Sequence, residues 1–294
     1  HRSATLLPAS SPYNAFDVIY DLHSHSNASD GSLEPDALLA LAGECGVDAL
    51  AITDHDTLAA FDRIDTSVSP VRLIAGIEFS TTWRKYGVHI VGLNVDPACP
   101  VLRGGAERQQ QSRHLRARLI AQRLRSKGLP DVLDDVLRIA GGEPIGRPHF
   151  AEHLVRAGIV KDVRAAFRKY LGAGKAGDVR NGWASLPEVV RWIVCSGGTA
   201  VLAHPARYRL TKTKLRALAT DFRAAGGAAI EVVCGQQSLN TTTHLARLAN
   251  ELGLAASCGS DFHRDSNCWS RPGRVPSLPL DVKPVWTTWQ TCSR

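Results

Sequence analysis

The chain has 294 residues, 44% of them hydrophobic and 21% charged, with a formal net charge of +7. That composition excludes wholesale disorder, a collagen-like repeat and a coiled coil. No apolar run approaches the roughly 20 residues a membrane-spanning helix needs, and the length fits one large domain or one domain with an insertion.

The charge is uneven along the chain. Residues 1–100 carry 5 Lys and Arg against 13 Asp and Glu, residues 101–191 carry 18 against 9, and residues 192–294 carry 12 against 6. An acidic block joined to a basic remainder suits a cation site beside a phosphate site. The 7 cysteines include no CxxC pair, which argues against a disulfide framework or a zinc ribbon and for a reducing, cytoplasmic setting.

In chain order, residues 1–15 read as a flexible leader. Short apolar runs then predict strands at Phe16–Leu22, Ala49–Thr53, Leu73–Ile77, Val88–Leu93, Thr199–Ala203, Ala229–Val233 and Leu254–Cys258. Helical patterns fall between several of them, at Pro35–Cys45, Leu186–Cys195, Lys214–Ala225 and Thr242–Leu252. Near-continuous apolar strands suit a parallel sheet covered on both faces, so the expected fold class is α/β, barrel-like or doubly wound. Residues 99–191 interrupt the rhythm as a helical insertion, leaving 16–98 and 192–290 for the core. Within the insertion, helices are expected at Glu107–Lys127, Val132–Ala140, His149–Ala157 and Asp162–Leu171. Leu115, Leu119 and Leu124 are expected to pack the first of these on its neighbours.

The strand ends carry the chemistry. The first strand runs into His23-Ser24-His25, with Asp30-Gly31 following, and the second ends in Thr53-Asp54-His55-Asp56. The third ends in Gly76-Ile77-Glu78, the fourth carries His89, the fifth ends in His204-Pro205, and the seventh in Ser260-Asp261-Phe262-His263. Residues two apart on an extended chain point to one side, so His23 and His25 can grip one ion. A parallel barrel gathers the C-terminal ends of its strands on one face. Six of the 11 histidines and three carboxylates would converge there. Taken singly, each has an ordinary explanation: Asp30-Gly31 as a turn, Glu78 as an ion-pair partner, Asp54 or Asp56 as a helix N-cap. Independent accidents would not all fall at strand ends. Nine such groups exceed the needs of one ion, and imidazole with carboxylate but no thiolate suits manganese, iron or zinc.

These ordered motifs resemble the PHP (polymerase and histidinol phosphatase) family, with the likeness running from about Tyr20 to Trp289. The resemblance implies a distorted (β/α)7 barrel with a trinuclear metal site. The closer likeness is to a subgroup with a helical insertion, the 3',5'-nucleoside-bisphosphate phosphatases and 5'-to-3' exoribonucleases of the RNase AM type. It is carried by Gly92-Leu93-Asn94-Val95-Asp96, Arg147-Pro148-His149-Phe150, Phe167-Arg168-Lys169-Tyr170-Leu171, Gly174-Lys175 and His204-Pro205-Ala206-Arg207-Tyr208. By resemblance, His23, His25, Glu78 and Asp261 hold one metal. Asp30, His55 and His263 serve a second, and His89, His204 and shared Glu78 a third. Two or three manganese ions are implied, with iron or zinc as alternatives. Arg147, His149 and Arg207, with Asp30 and His55, are the implied substrate binders. Pro148 and Ala206 depart from the subgroup, where Ser or Thr and Gly are usual, as does Asp178 after Gly177, where an aromatic is usual.

The implied enzyme is a metal-dependent hydrolase that releases the 3'-phosphate of pAp-type substrates, with short 5'-phosphorylated RNA as a further substrate. A metal-bridging hydroxide beside Asp30, His55 and His263 would attack phosphorus. His149 or His263 would protonate the leaving oxygen. The helix bearing Arg108, Arg113, Arg116, Arg118, Arg123 and Arg125 reads equally as a solvated face or as a phosphate track for RNA, and Trp183 and Tyr208 as base-stacking or packing residues. Two competing readings remain at this level: a phosphatase of histidinol phosphate or a phosphoamino acid, and a non-catalytic RNA-binding module. No membrane contact and no obligate protein partner is expected.

Overall fold

The structure, a computed structural model, describes residues 18–64, 69, 71–142, 144–179, 182–264 and 271–289. The leader, the start of the first expected strand, Cys268 and Cys292 lie outside the described residues.

Seven strands stand in sequence order in one sheet: β1 (Tyr20–Asp21), β2 (Ala49–Ile52), β3 (Arg72–Trp83), β4 (Tyr86–Leu93), β5 (Thr199–Leu202), β6 (Ala229–Cys234) and β7 (Ala255–Gly259). The Leu22 N–H donates to the Cys258 carbonyl at 3.0 Å, which brings β7 back to the first strand and nearly closes a barrel. This is the α/β barrel expected from the sequence.

One expectation is corrected. β4 is antiparallel to both β3 and β5, so it runs against every other strand. The reason is the connection. Only Arg84 and Lys85 separate β3 from β4, and Arg84 takes a positive φ of 53°. A two-residue link can join antiparallel strands, whereas a parallel pair needs a crossover of about a dozen residues. β3 accordingly runs on to Trp83, past the expected end at Ile77.

Alternation along the strands sorts the core into an inside and an outside. Ala49 and Ala51, Val91 and Leu93, Val201 and Ala203, with Leu22, Ile74, Ala229 and Ala255, form one cluster drawn from β2 to β7 and from the residue after β1, the barrel interior. The intervening residues, such as Leu50, Ile52, Ile90 and Leu202, pack outward under the helices. Tyr20 and Trp286 stack at 4.1 Å beside the interior cluster. Glu78, His89 and Glu231 share the inward parity of Ile74, Val91 and Ala229. Each therefore points into the barrel beyond its apolar part.

Helix α1 (Pro35–Glu44) covers β2. Helix α2 (Pro100–Arg125) begins seven residues before the expected Glu107. Pro100 sits in its first turn, where proline is well placed. Gly105 lets it approach a later helix, because a Cβ there would lie 2.6 Å from the Trp192 ring. Leu124 is buried as expected, but Leu115 and Leu119 are 60% and 38% exposed. The buried face of α2 instead includes the polar Gln109 and Arg113, which reach partners on the barrel.

Beyond α2 come α3 (Leu133–Ala140), α4 (Arg147–Arg156) and α5 (Val163–Ala166), the last continuing as a π turn through Leu171. With the second half of α2 they enclose a separate apolar core that includes Ile120, Leu124, Val136, Phe150 and Leu154. Helices α6 (Leu186–Cys195), α7 (Lys212–Ala224) and α8 (Leu239–Leu252) return to the barrel wall. Among the described residues, no helix is long and apolar enough to cross a membrane.

Candidate metal centre and substrate cavity

Glu78 is the hub of the barrel mouth. Its side chain is 1% exposed. Its Oε1 lies 2.9 Å from His89 Nδ1 and 2.8 Å from His204 Nε2. Its Oε2 lies 2.9 Å from His55 Nδ1 and 3.4 Å from both His23 Nε2 and His25 Nε2. Asp261 Oδ1 stands 3.2 Å from His25 Nε2 and 3.5 Å from His23 Nε2, while its Oδ2 accepts from Arg207. Asp30 faces His263 at 3.3 Å and His55 at 3.9 Å.

All nine residues singled out at the strand ends thus meet at one mouth. They form four overlapping groups in which one donor atom from each member lies within 4.8 Å of the others: His25, Asp30, His55 and His263; His23, His25 and Asp261; His23, Glu78 and His204; His55, Glu78 and His89.

The electrostatics are those of mutually compensating charges. Burial would raise the Glu78 carboxyl, but His55, His89 and His23 hold it well below the usual carboxylate range. Asp30 is likewise held low against burial by His263 and His55. Burial, and then the charges of His263 and His55, push His25 down to about 3. His263 rises to about 9, because Asp30 outweighs the burial that opposes it.

The donor set suits cations. Among the described residues, His23 Nε2, both ring nitrogens of His25, Asp30 Oδ1, Glu78 Oε2 and His204 Nδ1 are buried and find no hydrogen-bond partner. Buried polar atoms are normally satisfied. Unsatisfied nitrogen and oxygen lone pairs gathered at one mouth are what divalent cations would satisfy.

Buried carboxylates outside this set fix the loops that carry it. Asp54 accepts from the Ser26 N–H at 2.8 Å and from the Ser26 and Ser29 hydroxyls, both at 2.6 Å, which shapes the turn leading to Asp30. Asp56 has a positive φ of 54°. It takes the Ser80 N–H at 2.8 Å and forms a buried ion pair with Arg113. Neither Asp54 nor Asp56 caps a helix. Asp21 binds the backbone N–H groups of Ser260 and Gly273. Sequence reasoning missed Asp21 and Glu231, although Glu231 interrupts an apolar strand, which was the available signal.

A cavity of about 470 Å³ opens over the cluster. It is lined by Asp30, His55, His89 and His204 from the barrel, by Arg113, Arg116 and Arg147 from α2 and α4, by Trp183 from the segment before α6, and by Arg207. The Arg147 guanidinium donates to the Leu171 carbonyl at 3.2 Å. His149 is 8% exposed, and its Nδ1 accepts the Gly146 N–H at 3.0 Å. That bond leaves the ring proton on Nε2. Burial, opposed by Asp30, keeps the ring below its ordinary pKa.

The arginines of α2 divide. Arg108 pairs with exposed-side Glu188, Arg113 with Asp56, and Arg116 lies 4.1 Å over the Trp183 ring. The Tyr208 hydroxyl donates to the Ala203 carbonyl at 2.7 Å and accepts the His89 N–H at 2.9 Å, so it braces the fifth strand against the fourth.

The PHP domain family matches residues 21–129. The chain is 44% identical to the 5'-3' exoribonuclease Rnm of Escherichia coli over 94% of its own length and 95% of that protein's. It is 41% identical to the 3',5'-nucleoside bisphosphate phosphatase of Chromobacterium violaceum, over 90% of this chain and 94% of that one. Among solved structures it resembles an amidohydrolase from Chromobacterium violaceum with bound sulfate and no metal. There the TM-score is 0.85 at 40% identity, over 92% of this chain and 95% of that one.

Proposed function

The chain belongs to the PHP family and is a metal-dependent phosphoesterase, and from that premise we propose that it hydrolyses the 3'-phosphate of 3',5'-nucleoside bisphosphates and also degrades short 5'-phosphorylated RNA from the 5' end. One observation carries this reading. A single cavity is lined both by Asp30, His55, His89 and His204 of the donor cluster and by Arg116, Arg147 and Arg207. A substrate with two separated phosphates matches both sets. A phosphorylated amino alcohol or amino acid would set its ammonium group against arginines, so the second phosphate favours the nucleotide.

In this proposal His23, His25, Glu78 and Asp261 hold one ion, Asp30, His55 and His263 a second, and His89, His204 and Glu78 a third. Likeness to the family makes manganese the first candidate, and the donor set itself admits manganese, iron or zinc. Bound divalent cations would polarise the phosphate oxygens and lower the pKa of water near phosphorus.

The chain's own residues supply the rest. Arg207 is anchored on Asp261 Oδ2, which leaves Asp261 Oδ1 toward His23 and His25. Arg147 lines the cavity and is braced by the Leu171 carbonyl, and a guanidinium held there suits a substrate phosphate. The Gly146 bond fixes the His149 proton on Nε2, which suits it to donate to a substrate oxygen, although His149 is not itself among the cavity-lining residues. The insertion of residues 99–191 provides Arg116 and Arg147. All five described cysteines are free, in keeping with a cytoplasmic enzyme.

The test is a turnover comparison of pAp with a short 5'-phosphorylated oligoribonucleotide, run beside histidinol phosphate. Phosphate release from pAp with none from histidinol phosphate is the expected result. The reverse order would overturn the assignment.

A further inference from the structure

Glu231 stands on β6 in the run Ala229-Ile230-Glu231-Val232-Val233, every residue of which is buried. It is 2% exposed and shares the inward parity of Ala229. A carboxylate in such a strand is costly unless it is paired. The β6–β7 register shifts between Glu231 and Val233, an irregularity of the kind that re-aims a side chain.

Its two oxygens have separate partners. Oε1 lies 3.0 Å from His23 Nδ1, and Oε2 accepts the His204 backbone N–H at 2.6 Å. His23 and His204 sit on different strand ends, and both belong to the group with Glu78. The carboxylate on His23 Nδ1 keeps a proton there, which leaves the Nε2 lone pair facing Glu78 and Asp261. His204 has φ 25° and ψ 56°, a left-handed conformation that residues before a proline avoid, and the Glu231 bond fastens that turn. Glu231 itself is in none of the four clusters of donor atoms.

We propose that Glu231 is a positioning residue that sets the ligating tautomer of His23 and the backbone turn of His204, and so orders two ligands without touching cation or substrate. The proposal rests on the reading that cations occupy the cluster. Carboxylates bound to ligating histidines are worth about 10–100-fold in metal affinity. A glutamine at 231 offers one acceptor oxygen where two donors now arrive, so one of the two histidines is released. An aspartate keeps both acceptors on a shorter stem.

The experiment strips the full-length wild type, Glu231→Gln and Glu231→Asp with chelator, then titrates each with Mn²⁺ against a competing fluorescent chelator, with near-UV circular dichroism as a check on the fold. Glu231→Gln is expected to lose about 10–100-fold in affinity for the ions that use His23 and His204. Binding at Asp30, His55 and His263 should persist, and Glu231→Asp should recover part of the loss. Equal affinities in wild type and Glu231→Gln would overturn the positioning role, as would a uniform loss of every ion accompanied by lost tertiary signal in both variants. A wild type that binds no Mn²⁺, Fe²⁺ or Zn²⁺ would instead overturn the metal-site reading beneath it.

Discussion

Arg113 and Asp56 form a buried ion pair, Arg113 Nη2 lying 2.6 Å from Asp56 Oδ2, and through it the helix after the hairpin is fastened beside His55. The pair is satisfied on every side. Arg113 Nε also bonds Asp56 at 2.7 Å, and Asp56 Oδ1 takes the Ser80 N–H. It joins the barrel mouth to the helix that carries Arg116.

Arg113→Ala would leave the Asp56 charge buried without its partner. The expected loss is about 3–5 kcal/mol of unfolding free energy, measured by urea denaturation. Arg113→Lys should recover only part of it, because a lysine cannot reproduce the fork. A loss below about 1 kcal/mol, the range of exposed ion pairs, would show that the pair does not hold the insertion.

Asp30→Ala and His55→Ala should each abolish turnover while leaving a folded protein. Both residues face the cavity and belong to the donor cluster. Activity close to wild type, with full metal content measured by mass spectrometry, would contradict their assigned place.

Arg147→Ala should lower kcat/KM roughly 10–150-fold, the range of one charge-assisted hydrogen bond, with most of the effect in KM if Arg147 holds the non-reacting phosphate. Steady-state kinetics on pAp decides this. An unchanged KM and a collapsed kcat would move Arg147 to the reacting end.

Much of the site was legible in the sequence because strand geometry is repetitive. Residues at strand ends are delivered to one face whatever the helices do, so His23, His25, His55, His204, Asp261 and His263 could be gathered from position alone. The hairpin was harder to read. The polar run Ser80–Gly87 looks like a loop between two strands, yet it pairs almost to its tip, and His89 reaches the mouth from an antiparallel strand. Arg113 was hidden for another reason. One arginine among six on a helix looks solvated until the tertiary fold buries it against Asp56. Leu115 and Leu119 erred the opposite way, since the buried face of α2 runs through Leu102, Gln109, Arg113, Ile120 and Leu124 and leaves those two leucines outside it.

Glu188 supplies a pH test away from the site. The Ser185 hydroxyl and backbone N–H, and then Arg108, lower it from 4.5 to about 2. Its Oε2 accepts from the Ser185 N–H at 2.9 Å and from the Ser185 hydroxyl at 2.6 Å, closing a capping box at the start of α6. A folded-state pKa below the unfolded one means the stabilisation is present above about 4.5 and is lost as pH falls toward 2. Glu188→Ala should therefore lower Tm at pH 7. The gap between variant and wild type should narrow as pH falls from 4.5 toward 2. A constant gap across that range would sink the assignment.

The central claim is that the cluster around Glu78 works through bound cations on a bisphosphate. Its most direct test is phosphate release from pAp by the chelator-stripped full-length protein, before and after Mn²⁺ is restored, with metal content measured in parallel. Loss of release on stripping and its return with two or three ions per chain is the predicted result. Full turnover by protein shown to hold no metal would contradict it.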